Sequence, residues 1–234
     1  VADSGWSFSN WGGDVSGTSI PASIVVDGDK NVIANFTLEA PDINVWYGND
    51  QTFGQLGTPQ QWVNVLGTVT DPDGIATLAY TLNGGTEQPL SIGPDNRRLA
   101  DQGDFNIDLS VTDLVDGPNQ VDIRSVDGLG HEVIETVTVN YTSSSVWPLP
   151  YSIDWNAVSD ISAVAQIVDG LWAIDSGNLR PSQVDYDRFV AIGDMSWSDY
   201  EVTVPVTINY VDSAGAGGVS GNPGLGILMR WQGH

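Results

Sequence analysis

Cysteine is absent, so neither a disulfide framework nor a thiolate zinc site is open to this chain. Basic residues are almost as scarce. Lys30 is the single lysine, and seven basic residues face thirty acidic ones, a formal charge of -23 over 234 residues. A field of that sign repels nucleic acid and anionic lipid, which excludes both as partners, and it favours solubility and divalent cations. Long apolar runs are missing too. None approaches the roughly 18 residues of a membrane span, so no membrane insertion is expected. The N-terminus lacks the basic-then-apolar layout of a signal peptide, which places any secretory signal upstream of Val1. The two histidines, His131 and His234, stand far apart in sequence.

Helical periodicity is absent as well. Val, Ile, Thr, Trp and Tyr fill short runs, and 27 glycines and 12 prolines punctuate them. That pattern predicts an all-β chain of tandem sandwich modules, with apolar content of 41% sufficient for real cores. Three segments follow from shifts in composition: 1–40, 41–142 and 143–234.

In the first segment Trp6, Phe8 and Trp11 precede a Gly-rich turn, and Asp27-Gly28-Asp29 predicts a hairpin between two strands. The three aromatics are expected to form the core of a small unit. Trp6, Phe8, Trp11, Gly13, Asp14, Gly17, Asp29, Ala34 and Phe36 resemble the end of an internalin-B-type B-repeat, which implies a partial β-grasp-like unit cut near Val1.

The second segment carries seven candidate strands joined by "DPDG", "NGG", "DGPN" and "DGLG" turns, and its length of about 100 residues suits a seven-stranded sandwich. Gly67, Val69, Asp71, Asp73 and Gly74, then Tyr80, Leu82, Asn83 and Gly84, then Leu114, Gly117, Asn119, Val121, Ile123 and Asp127 resemble immunoglobulin-like and cadherin-like modules of bacterial extracellular proteins. That resemblance implies a spacer or adhesion role without an active site.

After the Ser-rich linker, the third segment holds five tryptophans: Trp147, Trp155, Trp172, Trp197 and Trp231. Runs at 169–181, 186–194, 198–211 and 224–234 predict strands of a broad antiparallel sheet. Trp172, Ile174, Gly177 and Leu179, with Tyr186 to Phe189, Trp197 to Val206 and Gly224 to Arg230, resemble the first half of a concanavalin-like or laminin-G-like jelly roll. The resemblance implies missing strands beyond His234, supplied by more chain or by a neighbouring copy.

Chemistry is sparse. A jelly-roll glucanase places its carboxylates on one strand, and here Asp199 and Glu201 are followed by apolar residues and Thr. Gln166, Tyr186, Arg180, Arg188 and Arg230 are the parts a polysaccharide lyase would need, without that family's motifs. Calcium is the candidate cofactor, with loop carboxylates at Asp71, Asp73, Asp127, Asp194 or Asp212 as its ligands, while turn capping is the favoured role for Asp71 and Asp73. Trp147 and Trp155, in the linker and an early loop, are expected to be exposed sugar platforms, helped by Arg180, Arg188 and Arg230; Trp172, Trp197 and Trp231 are expected on strands, in the core. The composite expectation is a non-catalytic, secreted or cell-surface protein whose third segment binds polysaccharide or a surface glycan. Its rivals are a self-assembling sheath, fibre or surface-layer subunit, with copies of itself as partners, and an accessory region of a secreted glycoside hydrolase or lyase.

Overall fold

The computed structural model describes residues 2–95, 97–183, 187–211 and 224–233. The expectations at Tyr186, Asp212 and His234 lie outside the described residues. Among the described residues the regular structure is strand, apart from one 3-10 turn at Ile161–Ala163, so the chain is all-β and built around a β-sandwich.

In the first segment β1 (Trp6–Gly13) pairs antiparallel with β2 (Val32–Leu38), setting Phe8 opposite Phe36 and Trp11 opposite Ala34. The hairpin expected at Asp27-Gly28-Asp29 does not form. Residues 21–31 carry no strand, and Val25 and Val26 lie exposed. The partner of β2 is the aromatic strand instead, a pairing that sets Phe8 between a tilted Trp11 and an edge-on Phe36, at 4.9 and 5.9 Å. Phe8 and Trp11 are half-buried while Trp6 is exposed, so the expected core is a thin aromatic cluster.

The sandwich follows. One sheet orders β3 (Asp42–Val45), β5 (Trp62–Thr70) and β8 (Asp104–Ser110); the other orders β4 (Asp50–Phe53), β10 (Glu132–Tyr141), β9 (Gly117–Asp127), β6 (Ile75–Leu82) and the short β7 (Gln88–Pro89). Val63, Val65 and Val69 of β5 and Phe105, Ile107 and Leu109 of β8 meet Leu78, Val121, Ile123, Val137 and Val139 of the facing sheet in one core. Period-2 alternation puts those side chains on the inner faces. β4, which alternation alone did not single out, pairs parallel with β10 over Thr138 to Tyr141.

β5 departs from simple alternation. Asn64 and Leu66, on its outer face, are as buried as Val63 and Val65, because the third segment packs there. A second cluster joins Leu66 to Ile161, Ala165 and Ile167, flanked by Trp46, Tyr47, Trp155, Trp172, Ile174, Leu179 and Val190. The third segment forms two small sheets, β11 (Gln166–Asp169) with β14 (Phe189–Ala191) and the hairpin of β12 (Trp172–Asp175) with β13 (Asn178–Pro181). The broad sheet expected from 198–211 and 224–234 is not seen: residues 200–211 and 224–228 carry no strand. Val202, Val204, Val206, Ile208 and Tyr210 are exposed instead.

Candidate functional site

The residues expected to bind ligand fall in separate settings. Trp147, expected exposed, is 4% exposed. Its N–H donates to Asp194 Oδ2 at 3.3 Å, its carbonyl accepts from Trp197 Nε1 at 2.9 Å, and its ring meets Tyr151 edge-on. The linker around it stays open, with Val146 and Leu149 exposed, and Trp147 alone turns inward, onto Tyr151, Asp194 and Trp197. Trp155, likewise expected as an open platform, is half-buried against the second cluster. Of the tryptophans expected on core strands, Trp172 lies on β12 against that cluster, whereas Trp197 and Trp231 are half-buried outside strands, Trp231 stacked on Phe189. Arg180 pairs with Asp175 on the exposed β12–β13 hairpin. Arg188 donates to the carbonyls of Gln183, Arg98 and Asp187, a structural tie. Arg230 is exposed with φ +57°.

The carboxylates singled out for calcium serve turns. Asp71 Oδ1 accepts from the Asp73 N–H at 2.7 Å, and Asp73 Oδ1 accepts from the Ser4 hydroxyl. Asp127 Oδ1 accepts the N–H groups of Leu129 and His131, and its Oδ2 lies 2.7 Å from His131 Nδ1. Burial acts to raise the Asp127 pKa, but the His131 N–H, the His131 ring and the Leu129 N–H outweigh it, and the net direction is down. Asp194 behaves alike: burial is outweighed by Ser196, Thr58 and Trp147. Asp71, Asp73 and Asp127 sit on adjoining turns, linked by the Gly128 N–H donating to the Gly74 carbonyl, while Asp194 lies by Thr58 and Trp147. Among the described residues no three carboxylate or imidazole groups converge as a metal would require.

Side chains that the sequence did not flag do converge. At the edge of the sandwich, β6, β7 and the 88–99 connection border a cleft of about 370 Å³ lined by Tyr80, Gln88, Leu90, Asp95, Arg98, Asn106 and Asp108, among others. A second cleft of about 530 Å³, with Leu82, Asn83, Thr86 and Asp113, shares Tyr80 and Gln88 with the first. Both clefts are open to solvent rather than enclosed. Tyr80 is half-buried at the seam of the two clefts. Burial raises its phenol pKa, and the nearby charges of Asp108 and Asp113 raise it further, so the hydroxyl stays protonated and able to donate.

Arg98 fixes one wall. Its Nη1 and Nη2 grip Asp108 bidentately at 2.7 and 2.8 Å, while its Nε donates to Asp169 Oδ1 at 2.5 Å. Burial works against the guanidinium charge, but hydrogen bonds and charges of Asp108 and Asp169 win, raising its pKa. Asn106 donates to Asp169 and to the Val168 carbonyl, and Asn64 donates to Asp108. The cleft wall and the third segment therefore share one polar network. No motif announced it, since its members come from β5, β8, β11 and the 88–99 connection, which only folding brings together.

No protein-family model matches the sequence, and no curated protein matches it. Among solved structures, one similar chain is the endo-beta-1,4-mannanase from Thermotoga petrophila, at 12% identity and TM-score 0.34, covering 44% of this chain and 20% of that one. Another is a set of fibronectin(III)-like modules of Clostridium thermocellum CbhA, at 11% identity and TM-score 0.34, covering 65% of this chain and 87% of that one. Likenesses this loose leave the fold to be judged from the chain's own strands.

Proposed function

We propose that the chain is a non-catalytic extracellular module that binds polysaccharide or a cell-surface glycan. The observation that supports this reading best is the double cleft around Tyr80, where a half-buried aromatic is surrounded by amide and carboxylate groups suited to hydroxyl recognition. Two carboxylates of its wall are engaged: Asp108 is clamped by Arg98, and Asp95 Oδ1 accepts the N–H groups of Arg97 and Leu99. Such a wall serves binding better than proton transfer. Glycan arrays and pull-downs with insoluble polysaccharides test the reading; retention of the purified chain is expected, and no retention on any glycan would end it.

A second reading, self-association, is favoured by one observation. Val202, Val204, Val206, Ile208 and Tyr210 alternate along an unpaired segment and are 42–70% exposed. Alternating apolar residues without a strand partner among the described residues suit pairing with another chain. Light scattering tests it, and a strictly monomeric chain at high concentration would rule it out.

A further inference from the structure

The two clefts adjoin at Tyr80 and Gln88, which line both, and read together as one groove their chemistry narrows the ligand. One half offers Asp95 and Asp108, beside an Asn106 whose amide hydrogens go to Val168 and Asp169; the other offers Thr86 and Asp113, beside an Asn83 tied to Asn119 and Gln120. A groove with hydrogen-bonding groups on both sides of a central ring suits a chain of repeating hydroxylated units, one of which lies on the ring while its neighbours are held to either side. Its charge is one-sided. Arg98 is the one cation among the lining residues, and it already serves Asp108 and Asp169. An incoming carboxylate or sulfate would therefore find no uncommitted cation among the described lining residues, and would meet Asp95 and Asp113 together with the field of a chain of charge -23.

Resting on the glycan-binding reading above, we infer that this groove is the binding site, and that it takes an uncharged oligosaccharide across Tyr80 while rejecting uronate and sulfated chains. The side-chain hydroxyl and amide groups of Thr86 and Gln88 contact the sugar on the β7 side. Asp108, set by Arg98, accepts from its hydroxyls on the other.

Affinity electrophoresis of the whole chain through gels carrying neutral glucan, mannan or xylan, and in parallel polygalacturonate or a sulfated galactan, reads both claims. Retardation is expected in at least one neutral gel and in neither acidic gel. Tyr80→Ala should weaken that retardation about tenfold, the loss of one stacked ring. Because Tyr80 also packs against the core, Gln88→Arg is the companion variant: it fills the seam from an exposed position of β7 and should abolish retardation with the unfolding midpoint unchanged. Retardation by neutral glycan that survives Gln88→Arg would overturn the groove while leaving glycan binding in place. Stronger retardation in the acidic gels would overturn the ligand class. No retardation in any gel would remove both this inference and the reading beneath it.

Discussion

Arg98 and Asp169 meet at 2.5 Å across the contact between the sandwich and the third segment, and the Asp169 side chain is wholly withdrawn from solvent. The same guanidinium holds Asp108 in the cleft wall, so one residue ties the groove to the segment packed behind it.

Replacing Arg98 with Met takes the guanidinium away from a buried carboxylate. A loss of about 3–5 kcal/mol in urea unfolding is expected, the usual cost of breaking a buried pair from one side. The double variant Arg98→Met with Asp169→Leu should recover part of that loss, because no charge is then left buried.

Acid should loosen two turns. Asp127 and Asp194 have folded-state pKa values below the ordinary 3.8, so each contributes stability that is fully present above 3.8 and is lost as pH falls through the depressed value. Urea midpoints measured from pH 6 to pH 2 should fall most steeply below pH 4. Asp127→Asn and Asp194→Asn should each lower the midpoint at pH 6 and flatten the fall.

Gly67 leaves no room for a methyl group. An added Cβ would sit 2.5 Å from both the Asn44 carbonyl oxygen and Phe105 Cζ, in the middle of the β3–β5–β8 sheet. Gly67→Ala should cost about 1–3 kcal/mol by overpacking, read as a lowered thermal midpoint. Gly74→Ala is a different case: nothing surrounds its Cβ, and only its φ of +81° is strained.

Val204 is 52% exposed, so Val204→Lys should leave the unfolding midpoint of the single chain within about 0.5 kcal/mol. If copies pair through residues 202–210, the same variant should shift light-scattering mass towards the single chain. An associated wild type whose mass is unmoved by the variant would exclude that segment as the contact.

The sandwich was legible because its strands alternate and its turns carry Gly, Asp and Asn: Val63, Val65, Phe105, Ile107, Val121 and Ile123 fall on inner faces as the pattern requires. Asn64 and Leu66 were not legible in the same way. Their burial comes from the third segment, a contact between residues about a hundred positions apart, such as Gln166 donating to the Trp62 carbonyl. The aromatic count in the third segment pointed to exposed platforms, but Trp147 is enclosed by Asp194, Tyr151 and Trp197. Tyr80 was read as a fold-pattern residue. Its place at a cleft depends on the sandwich edge at β7 and on the 88–99 connection, whose shape no local pattern encodes.

The parallel pairing of β4 with β10 gives the sandwich a mechanical polarity. The chain enters the start of β4 at Asp50 and leaves the end of β10 at Tyr141, and the two strands run in the same direction. Tension applied at Asp50 and Tyr141 would pull these strands in opposite senses along a common axis, once the load from the N-terminal side has passed β3 and its pairing with β5. The load falls on the whole Asp50 to Phe53 ladder at once, in shear, instead of opening it one bond at a time.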